Sequence, residues 1–314
     1  MTTESTVPVI DVSAAVAGRD YGAVAAQVDE ACRGVGFFQI VGHGVDPSLL
    51  DAVHETAPDL WRLPTEVKEQ YRSPTGHVFQ GWYTRDDPDG FPLQEKWEGT
   101  TFDSPEDAIA AGVPTDLAVR FRGNLWPDAA PRFVAAMKAC FEATRALGDR
   151  VMAIFAVALG LDEDYFTPLL KNDSSYFAVN SYPGTSHLPS GETALYEHTD
   201  SGTLTLLHQR GNYRGLQVRL RSGAPYRMPV IDEAFVVNIG DLMARWTNDQ
   251  WRATPHTVLL GEPGEWRTSV TTFHTPAVDA VVEPVATAIG EDGAHYGPVT
   301  IFDWEDEFLR KTYA

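Results

Sequence analysis

The period of the hydrophobic pattern changes along the chain and separates a helical part from a strand-rich part. Between residues 129 and 160 apolar side chains such as Phe133, Met137 and Phe141 recur every three or four positions, which predicts a long helix. From residue 175 onward short β-branched and aromatic runs alternate with turn-rich segments; the runs are SSYFAVNSY, TLTLLHQ, GLQVRL, AFVVNIGD, ATPHTVLL and RTSVTTFH. Short strands at such regular spacing predict a β-sandwich or barrel.

The first third of the chain has a mixed pattern. It predicts strands at VPVIDV and GFFQIVGHG, and helices at DYGAVAAQVDEACRGVG and DPSLLDAVHETAPDLWRL. Residues 74–128 are rich in Pro, Gly and Asp, which predicts long loops with a strand or two. We expect a mixed α and β fold with flanking α-helices, in a single domain over residues 1–314. Its parts would be a mixed region over about 1–128, the long helix over about 129–160, a β core over about 175–275 that carries the site, and a closing helix over 300–314.

The composition excludes several classes of partner. The formal net charge of −20 argues against binding to nucleic acid or anionic membranes, since both require a basic surface. The two cysteines, Cys32 and Cys140, fall in helix-like segments, which argues against a disulfide framework or a cysteine metal site. No signal peptide is visible, and the longest apolar run, at 151–161, is too short to span a bilayer. We expect a cytoplasmic protein with no obligate protein partner.

The segment ALYEHTDSGTLTLLHQ, residues 194–209, contains the beginning of a metal site. His198 and Asp200 lie two positions apart, and on a strand such residues point the same way, roughly 6–7 Å from each other. An imidazole with a carboxylate suits iron or zinc better than calcium or magnesium. Because His-x-Asp also arises by chance, the interpretation requires a third ligand.

His256 is the strongest candidate for that ligand, because it lies on a later strand that can return beside His198 and Asp200. Two histidines and one carboxylate leave three coordination positions open, the arrangement of non-haem Fe(II) oxygenases. The other histidines have simpler interpretations, either as solvated residues of loops and helix surfaces or as residues of the β region that could line a pocket. The first group is His43, His54, His77, His187 and His295, and the second is His208 and His274.

Arg267 and Ser269 repeat the spacing of two on another predicted strand. A guanidinium and a hydroxyl that face the same way form a receptor for a carboxylate, with bidentate geometry from the arginine. An arginine on the surface of an edge strand is the simpler alternative if this pair is considered alone.

In order along the chain, these segments resemble the 2-oxoglutarate and Fe(II)-dependent oxygenases of the isopenicillin N synthase-like family. The similar segments cover nearly the whole chain and are VPVIDV, GVGFFQIVGHGVD, VNSYPG, HTDSGTLTLLHQ, GLQV, VVNIGDLMARWTND, PHTVLL and RTSVTTFHTP. Each is weak alone, and the ordered set is specific. The resemblance implies a double-stranded β-helix, or jelly-roll, core with helices packed outside it.

The resemblance also implies a site and a reaction. The iron ligands would be His198, Asp200 and His256, and the contacts to 2-oxoglutarate would be Arg267, Ser269, Tyr182 and, more loosely, Asn180. Fe(II) would be the cofactor, and 2-oxoglutarate and O2 the cosubstrates. The protein would oxidise a C–H bond of a small molecule of natural-product or amino-acid-derived metabolism and release succinate and CO2. Hydroxylation is the simplest outcome; desaturation, epoxidation and ring closure stay open.

Three departures from the family pattern occur, and none removes a ligand. Ser181 replaces the first tyrosine of a family pair, which leaves the upper pocket open to question. The usual Ser-Asn-Gly turn reads Thr247-Asn248-Asp249, and Thr257 replaces an arginine that is common after the distal histidine.

Substrate contacts are expected from residues that would cover the iron, although ordinary packing explains each of them equally well. Arg85 could pair with a substrate carboxylate or with the neighbouring Asp86 or Asp87. The full set is Phe79, Gln80, Tyr83, Arg85, Trp97, His208 and Phe273.

Two other functions compete with this interpretation. A non-haem iron oxidase of the same fold would draw all electrons from its substrate without 2-oxoglutarate, and Arg267 and Ser269 do not exclude it, because such family members retain the pair. A non-catalytic jelly-roll protein would use the histidines structurally or to hold zinc. Zinc hydrolysis lacks support, since no general base is evident beside the three ligands.

Overall fold

The segments with helical periodicity form a layer of helices, and the strand-like segments form two packed β-sheets. The structure is a computed structural model that describes residues 7–18, 20–73, 79–184, 188 and 191–313, so His77 and His187 lie outside the described residues. The helices are α1 Ser13–Val16, α2 Gly22–Gly34, α3 Pro47–Trp61, α4 Thr65–Lys68, α5 Pro105–Ala111, α6 Thr115–Ala118, α7 Pro131–Ala158, α8 Asp241–Trp246 and α9 Ile301–Tyr313. Short 3-10 helices cover Glu69–Tyr71, Thr167–Leu169 and Ala286–Ala288.

The strands form a large sheet, a smaller one and a two-stranded ribbon. They are β1 Val9–Asp11, β2 Phe37–Val41, β3 Gly81–Asp86, β4 Pro92–Thr100, β5 Tyr176–Pro183, β6 Thr193–His198, β7 Leu204–Gly211, β8 Leu216–Arg219, β9 Pro225–Arg227, β10 Phe235–Ile239, β11 His256–Leu259, β12 Trp266–His274, β13 Val281–Val282 and β14 Val299–Thr300. The order is β1-β2-β10-β7-β12-β5-β4-β3 in the large sheet and β6-β11-β8-β9 in the smaller one, and β13 pairs with β14. Apart from the parallel pair β1 and β2, neighbouring strands are antiparallel.

The two faces of the large sheet have different neighbours, because side chains alternate along each strand. One face packs against α2, α3 and α7 and forms the main hydrophobic core. The other faces the smaller sheet, where Phe37, Val236, Leu216 and Val218 meet in a second apolar cluster. The predicted mixed fold, with one β core and flanking helices, is confirmed.

Strand β12 shows this division most clearly. On the helical side His274 is fully buried and its Nε2 lies 2.9 Å from Asp149 Oδ1 on α7, while the Thr144 and Thr272 hydroxyls are 2.6 Å apart. Gly148 permits this close approach, since a Cβ there would lie 2.3 Å from His274 Cδ2. The odd-numbered side chains of β12, Arg267 to Phe273, face the smaller sheet. His274 is therefore a packing residue and does not line the pocket.

Several local expectations were wrong. Helix α8 was not predicted, and the strand expected at His198 and Asp200 ends at His198 as β6. His54, expected on a solvated surface, lies on the inner side of α3, where its Nε2 is 2.9 Å from His208 Nδ1. His43 is also buried, with its Nε2 3.1 Å from the carbonyl oxygen of Glu233.

None of the helices in the described part of the chain combines the length and the apolar character that crossing a bilayer requires.

His54 should make the protein less stable in acid. Burial, with the nearby charges of His208 and Arg210, lowers the pKa of His54 to about 3. His54 therefore stays neutral when folded but gains a proton on unfolding once the pH falls below about 6.5, so the free energy of unfolding decreases from about pH 6.5 towards 3. This one proton contributes at most roughly 1.4 kcal/mol per pH unit. In His54→Leu the unfolding free energy from urea titrations should depend less steeply on pH in this range. An unchanged slope would show that His54 titrates alike in both states.

Candidate active site

Two antiparallel strands of the smaller sheet bring the predicted histidines together. β6 ends at His198, β11 begins at His256, and the two residues are direct partners in the register. Their ring centroids are 4.4 Å apart. The structure therefore agrees with the prediction that a later strand returns beside His198.

Asp200 is placed by a turn and not by a strand, so the argument that His198 and Asp200 share one strand was wrong. A hydrogen bond of 2.7 Å, donated by the backbone nitrogen of Asp241 to the carbonyl oxygen of Asp200, holds this turn in place. Gly240 is required beside it, because a Cβ there would lie 2.2 Å from the carbonyl oxygen of Gly202. The turn still directs the carboxylate to the histidines: Asp200 Oδ1 lies 3.7 Å from His198 Nε2 and 3.8 Å from His256 Nε2.

Hydrogen bonds at the far side of each ligand orient it. His198 Nδ1 lies 2.9 Å from the carbonyl oxygen of Tyr196, and His256 Nδ1 lies 3.2 Å from that of Thr254, so both Nε2 atoms are left to face the site. Asp200 Oδ2 accepts hydrogen bonds from Thr205 Oγ1 at 2.5 Å and Asn238 Nδ2 at 2.8 Å. Asn238 and Thr205 were not predicted from the sequence. A single asparagine within the apolar strand FVVNI was the available signal for Asn238.

These three side chains fit a divalent metal of the iron type. One ligand atom from each of His198, Asp200 and His256 lies within 4.8 Å of the others, so all three could bind one ion. Two neutral imidazoles and one carboxylate are the donor set of non-haem Fe(II) sites with open positions.

The charges around Asp200 favour its ionised form. Burial disfavours the carboxylate, but His256, His198 and the hydrogen bonds from Asn238 and Thr205 outweigh it and hold the pKa of Asp200 below its ordinary value. Burial lowers the pKa of His256, although Asp200 opposes this. Both shifts favour the protonation states that a metal ligand needs.

The predicted carboxylate receptor lies in the same cavity. Arg267 is 1% exposed, and its Nε donates to Gln209 Oε1 at 3.0 Å. Its Nη1 and Nη2 atoms are buried and have no hydrogen-bond partner among the described residues. The guanidinium carbon lies 5.1 Å from the ring centroid of Tyr182. A buried guanidinium with two free nitrogens fits the carboxylate of a bound acid.

The pairing register of β12 and β5 places the other predicted cosubstrate contacts beside Arg267. In the β12–β5 pair, Arg267 is opposite Tyr182 and Ser269 is opposite Asn180. Asn180 Nδ2 donates to Ser269 Oγ at 3.3 Å, and Gln94 Nε2 donates to both Asn180 Oδ1, at 2.9 Å, and the Tyr182 hydroxyl, at 3.0 Å. Gln94, on β4, was missed because the sequence gives no register for that strand.

One cavity of about 460 Å³ contains both the three candidate ligands and Arg267. Five of the predicted substrate contacts line it, namely Phe79, Gln80, Tyr83, Arg85 and Phe273. The predictions for Trp97 and His208 were wrong, because both side chains face the helical side of the sheet and do not line the cavity. Trp97 alternates with the cavity residues Lys96 and Glu98 and donates from Nε1 to the carbonyl oxygen of Leu125 at 3.1 Å. His208 alternates with Leu207, and its Nε2 lies 2.8 Å from the carbonyl oxygen of Asp232.

The departures from the family pattern lie away from the cavity. Ser181 alternates with Asn180 and Tyr182, so it occupies the opposite face of β5. Asn248 and Asp249 both adopt positive φ, in the turn after α8. Thr257 faces away from the ligands and donates through Oγ1 to the carbonyl oxygen of Leu195.

Two family models match the chain. The one described as non-haem dioxygenase in morphine synthesis N-terminal matches residues 7–128, and the one described as 2OG-Fe(II) oxygenase superfamily matches residues 174–276. The second range contains the three candidate ligands and Arg267.

Relatives and solved structures match over nearly the full length. Gibberellin 20 oxidase 2 of Oryza sativa subsp. indica is 32% identical, with 99% of this chain and 77% of the relative covered. Homoarginine-6-hydroxylase 2-ODD-233 of Oryza sativa subsp. japonica is 30% identical, with 89% and 88% covered. The crystal structure of a full-length Neurospora crassa protein in complex with alpha-KG has a TM-score of 0.84 at 26% identity, with 100% of this chain and 98% of that one covered. The predicted jelly-roll core is confirmed by this likeness.

Asn238→Ala should weaken Fe(II) binding about 10–100-fold, the usual effect of removing a group that orients a metal ligand. The substitution leaves Asp200 Oδ2 with the hydrogen bond from Thr205 alone. Affinity is measured by anaerobic Fe(II) titration in competition with a chromogenic chelator. Asn212→Ala is the matched control, because Asn212 Oδ1 accepts from the backbone nitrogen of Trp266, away from the ligands. Equal affinities for both variants would contradict the orienting role.

Proposed function

This chain belongs to the superfamily of 2-oxoglutarate and Fe(II)-dependent oxygenases, and from that premise we propose a role for each residue of its site. The protein is a non-haem dioxygenase with Fe(II) as cofactor and 2-oxoglutarate and O2 as cosubstrates. His198, Asp200 and His256 hold the iron. The observation that carries the assignment is their convergence within 4.8 Å, with the remaining polar atom of each side chain already hydrogen-bonded elsewhere.

Held by these three residues, Fe(II) would supply the oxidising chemistry. O2 would be reduced with electrons from 2-oxoglutarate, which would leave as succinate and CO2, and a substrate C–H bond would be oxidised. The protein orients the cosubstrate for this reaction. Arg267 pairs with the distal carboxylate of 2-oxoglutarate through Nη1 and Nη2, and Ser269 adds its hydroxyl. Tyr182 and Asn180, linked through Gln94, form the adjoining wall. Since Arg267 is buried, water competes weakly for this contact and the charge-assisted pair is strong.

The substrate is a small molecule, and hydroxylation is its simplest fate, with desaturation, epoxidation and ring closure as variants of the same chemistry. The cavity of about 460 Å³ falls in the size range of small-molecule sites. The names of the two plant relatives, a gibberellin oxidase and a homoarginine hydroxylase, support a substrate from natural-product or amino-acid-derived metabolism. Phe79, Gln80, Tyr83 and Phe273 line the part of the cavity that such a substrate would contact.

The enzyme acts as a single domain over residues 1–314, without a nucleic-acid, membrane or obligate protein partner. The net charge of −20 supports the first two exclusions, because polyanionic surfaces repel an acidic protein. A cytoplasmic location stays a prediction.

Asp200→Ala should abolish turnover by removing the carboxylate ligand while leaving the fold intact. The readouts are iron content after desalting, succinate formation, and far-ultraviolet circular dichroism. Asp51→Ala is the matched control, since Asp51 pairs with Arg210 on the helical side of the sheet. Unchanged turnover in Asp200→Ala would overturn the assignment of the ligands.

Arg267→Leu should abolish or greatly weaken 2-oxoglutarate binding with little change in iron affinity. In the Fe(II)-loaded wild-type protein, anaerobic addition of 2-oxoglutarate should produce the weak visible charge-transfer band of a chelated keto acid. Loss of a charge-assisted contact worth about 1.5–3 kcal/mol should raise the concentration for half-maximal band at least tenfold.

Arg210→Leu is the control for this variant, because Arg210 lies on the adjacent strand but faces Asp51. If iron retention fell instead, Arg267 would be a structural residue. Bound iron without a band in the wild-type protein would favour the oxidase that does not use 2-oxoglutarate.

A further inference from the structure

Arg85 brings a second positive charge into the cavity. It lies on β3, at the edge of the large sheet, and its side chain lines the cavity wall. The Nη1 atom is buried and has no hydrogen-bond partner among the described residues. The guanidinium of this cavity-lining residue therefore keeps one donor without an acceptor from the described part of the protein.

The neighbouring carboxylates of Asp86 and Asp87 form no ion pair with Arg85. Asp86 Oδ1 accepts from the Thr84 hydroxyl at 2.6 Å, and Asp87 Oδ1 accepts from the backbone nitrogens of Asp89 and Phe91 at 2.9 and 2.8 Å. In the described part of the chain, no Asp or Glu oxygen lies within 4.0 Å of an Arg85 nitrogen. The alternative that Arg85 pairs with Asp86 or Asp87 is therefore not supported.

The other charged side chains of the cavity have partners or roles. Lys96 Nζ lies 2.8 Å from Glu98 Oε1, so these two opposite charges compensate each other. Asp200 lies among the histidines, and Arg267 is assigned to 2-oxoglutarate. Arg85 is the remaining uncompensated charge among the described cavity residues, and its sign selects an anion.

The ring of Tyr196 lies between Arg85 and the candidate ligand His198. The guanidinium carbon of Arg85 is 5.2 Å from the ring centroid of Tyr196, and that ring is 6.0 Å from the ring of His198. Tyr196 is 53% exposed, which places this group on the side of the cavity that is open to solvent. An anion on Arg85 would leave the rest of a small substrate directed inward, towards the iron.

A stack of three aromatic rings forms another part of the wall. Phe79 and Tyr176 stack with centroids 3.8 Å apart, and Tyr176 and Phe273 stack at 4.4 Å, each pair inclined by 14°. Such a wall contacts flat apolar groups well, because stacking on an outer ring and edge-to-face contact with the ring edges both add to the burial of their area. The cavity therefore offers one cationic contact and one aromatic surface.

We propose that the substrate is a small carboxylic acid with a flat, apolar body, and that Arg85 binds its carboxylate. This proposal rests on the proposed function, because it concerns the substrate of the same iron site. Arg85 acts as a specificity-determining residue and takes no part in binding 2-oxoglutarate. A planar guanidinium and a carboxylate match in a two-hydrogen-bond geometry that an amide does not reproduce.

The test compares acids with their primary amides as ligands. The probes are 3-phenylpropanoate, 2-naphthylacetate and biphenyl-4-acetate, each paired with its amide, and binding is measured by calorimetry on the anaerobic protein loaded with Fe(II) and 2-oxoglutarate. Wild-type protein should bind at least one acid at least tenfold more tightly than its amide, and Arg85→Gln should remove this preference with little change in amide binding. Arg132→Gln, which removes an exposed charge on α7, is the matched control and should retain the preference.

The outcomes separate this proposal from the function on which it rests. A normal charge-transfer band with 2-oxoglutarate in Arg85→Gln, together with lost acid preference, supports the proposal. Equal binding of acids and amides by the wild-type protein, or binding of none of the acids, overturns it while leaving the oxygenase assignment in place. A band lost in Arg85→Gln would also overturn it, because Arg85 would then serve the cosubstrate. Absence of the band in the wild-type protein would count against the proposed function.

Discussion

The pairing of β6 with β11 is the constraint on which the site depends. Only where the end of one strand meets the beginning of the other do His198 and His256 become direct neighbours. Their side chains cannot be brought together by local sequence, since the two residues belong to strands far apart in the chain. The backbone hydrogen bonds of the smaller sheet thus supply the precision of the site, and the carbonyls of Tyr196 and Thr254 then set the direction of each ring. Strands place the two histidines more precisely than loops would.

The alternation of side chains in the large sheet divides structural from functional residues. On β12 the odd-numbered residues from Arg267 to Phe273 line the cavity, while Thr272 and His274 bind α7. The same rule explains which sequence predictions were correct. Arg267 and Ser269 were predicted to share one face, and the structure places both of them, together with Phe273, on the cavity side of β12. Trp97 and His208 were selected by residue type without regard to parity, and both point into the helical layer.

What the sequence could not predict has a common physical cause, namely register between distant strands. Asn238 and Thr205 orient Asp200 from β10 and β7, and Gln94 connects Asn180 with Tyr182 from β4. Each is an ordinary polar residue whose role appears only once its strand has neighbours. Asp200 shows a related failure: the spacing of two indicated a shared strand that does not exist, and a turn instead directs the carboxylate towards His198 and His256. Family resemblance succeeded where periodicity could not, since ordered motifs carry the register implicitly.

Two arginines line the cavity of a molecule that is acidic overall. A protein with a net charge of −20 has many carboxylates available for ion pairs, yet two arginines of one cavity keep nitrogens without acceptors. A buried, unpaired charge costs folding free energy, and a carboxylate ligand that enters can offset that cost. The arginines differ in setting, because Arg267 is enclosed between strands beside Tyr182 whereas Arg85 adjoins the exposed Tyr196. An enclosed site suits a small cosubstrate of fixed shape, and a more open one leaves room for a larger substrate. Under the proposed roles, two similar charges bind two different acids, because Arg267 is enclosed and Arg85 adjoins the open side of the cavity.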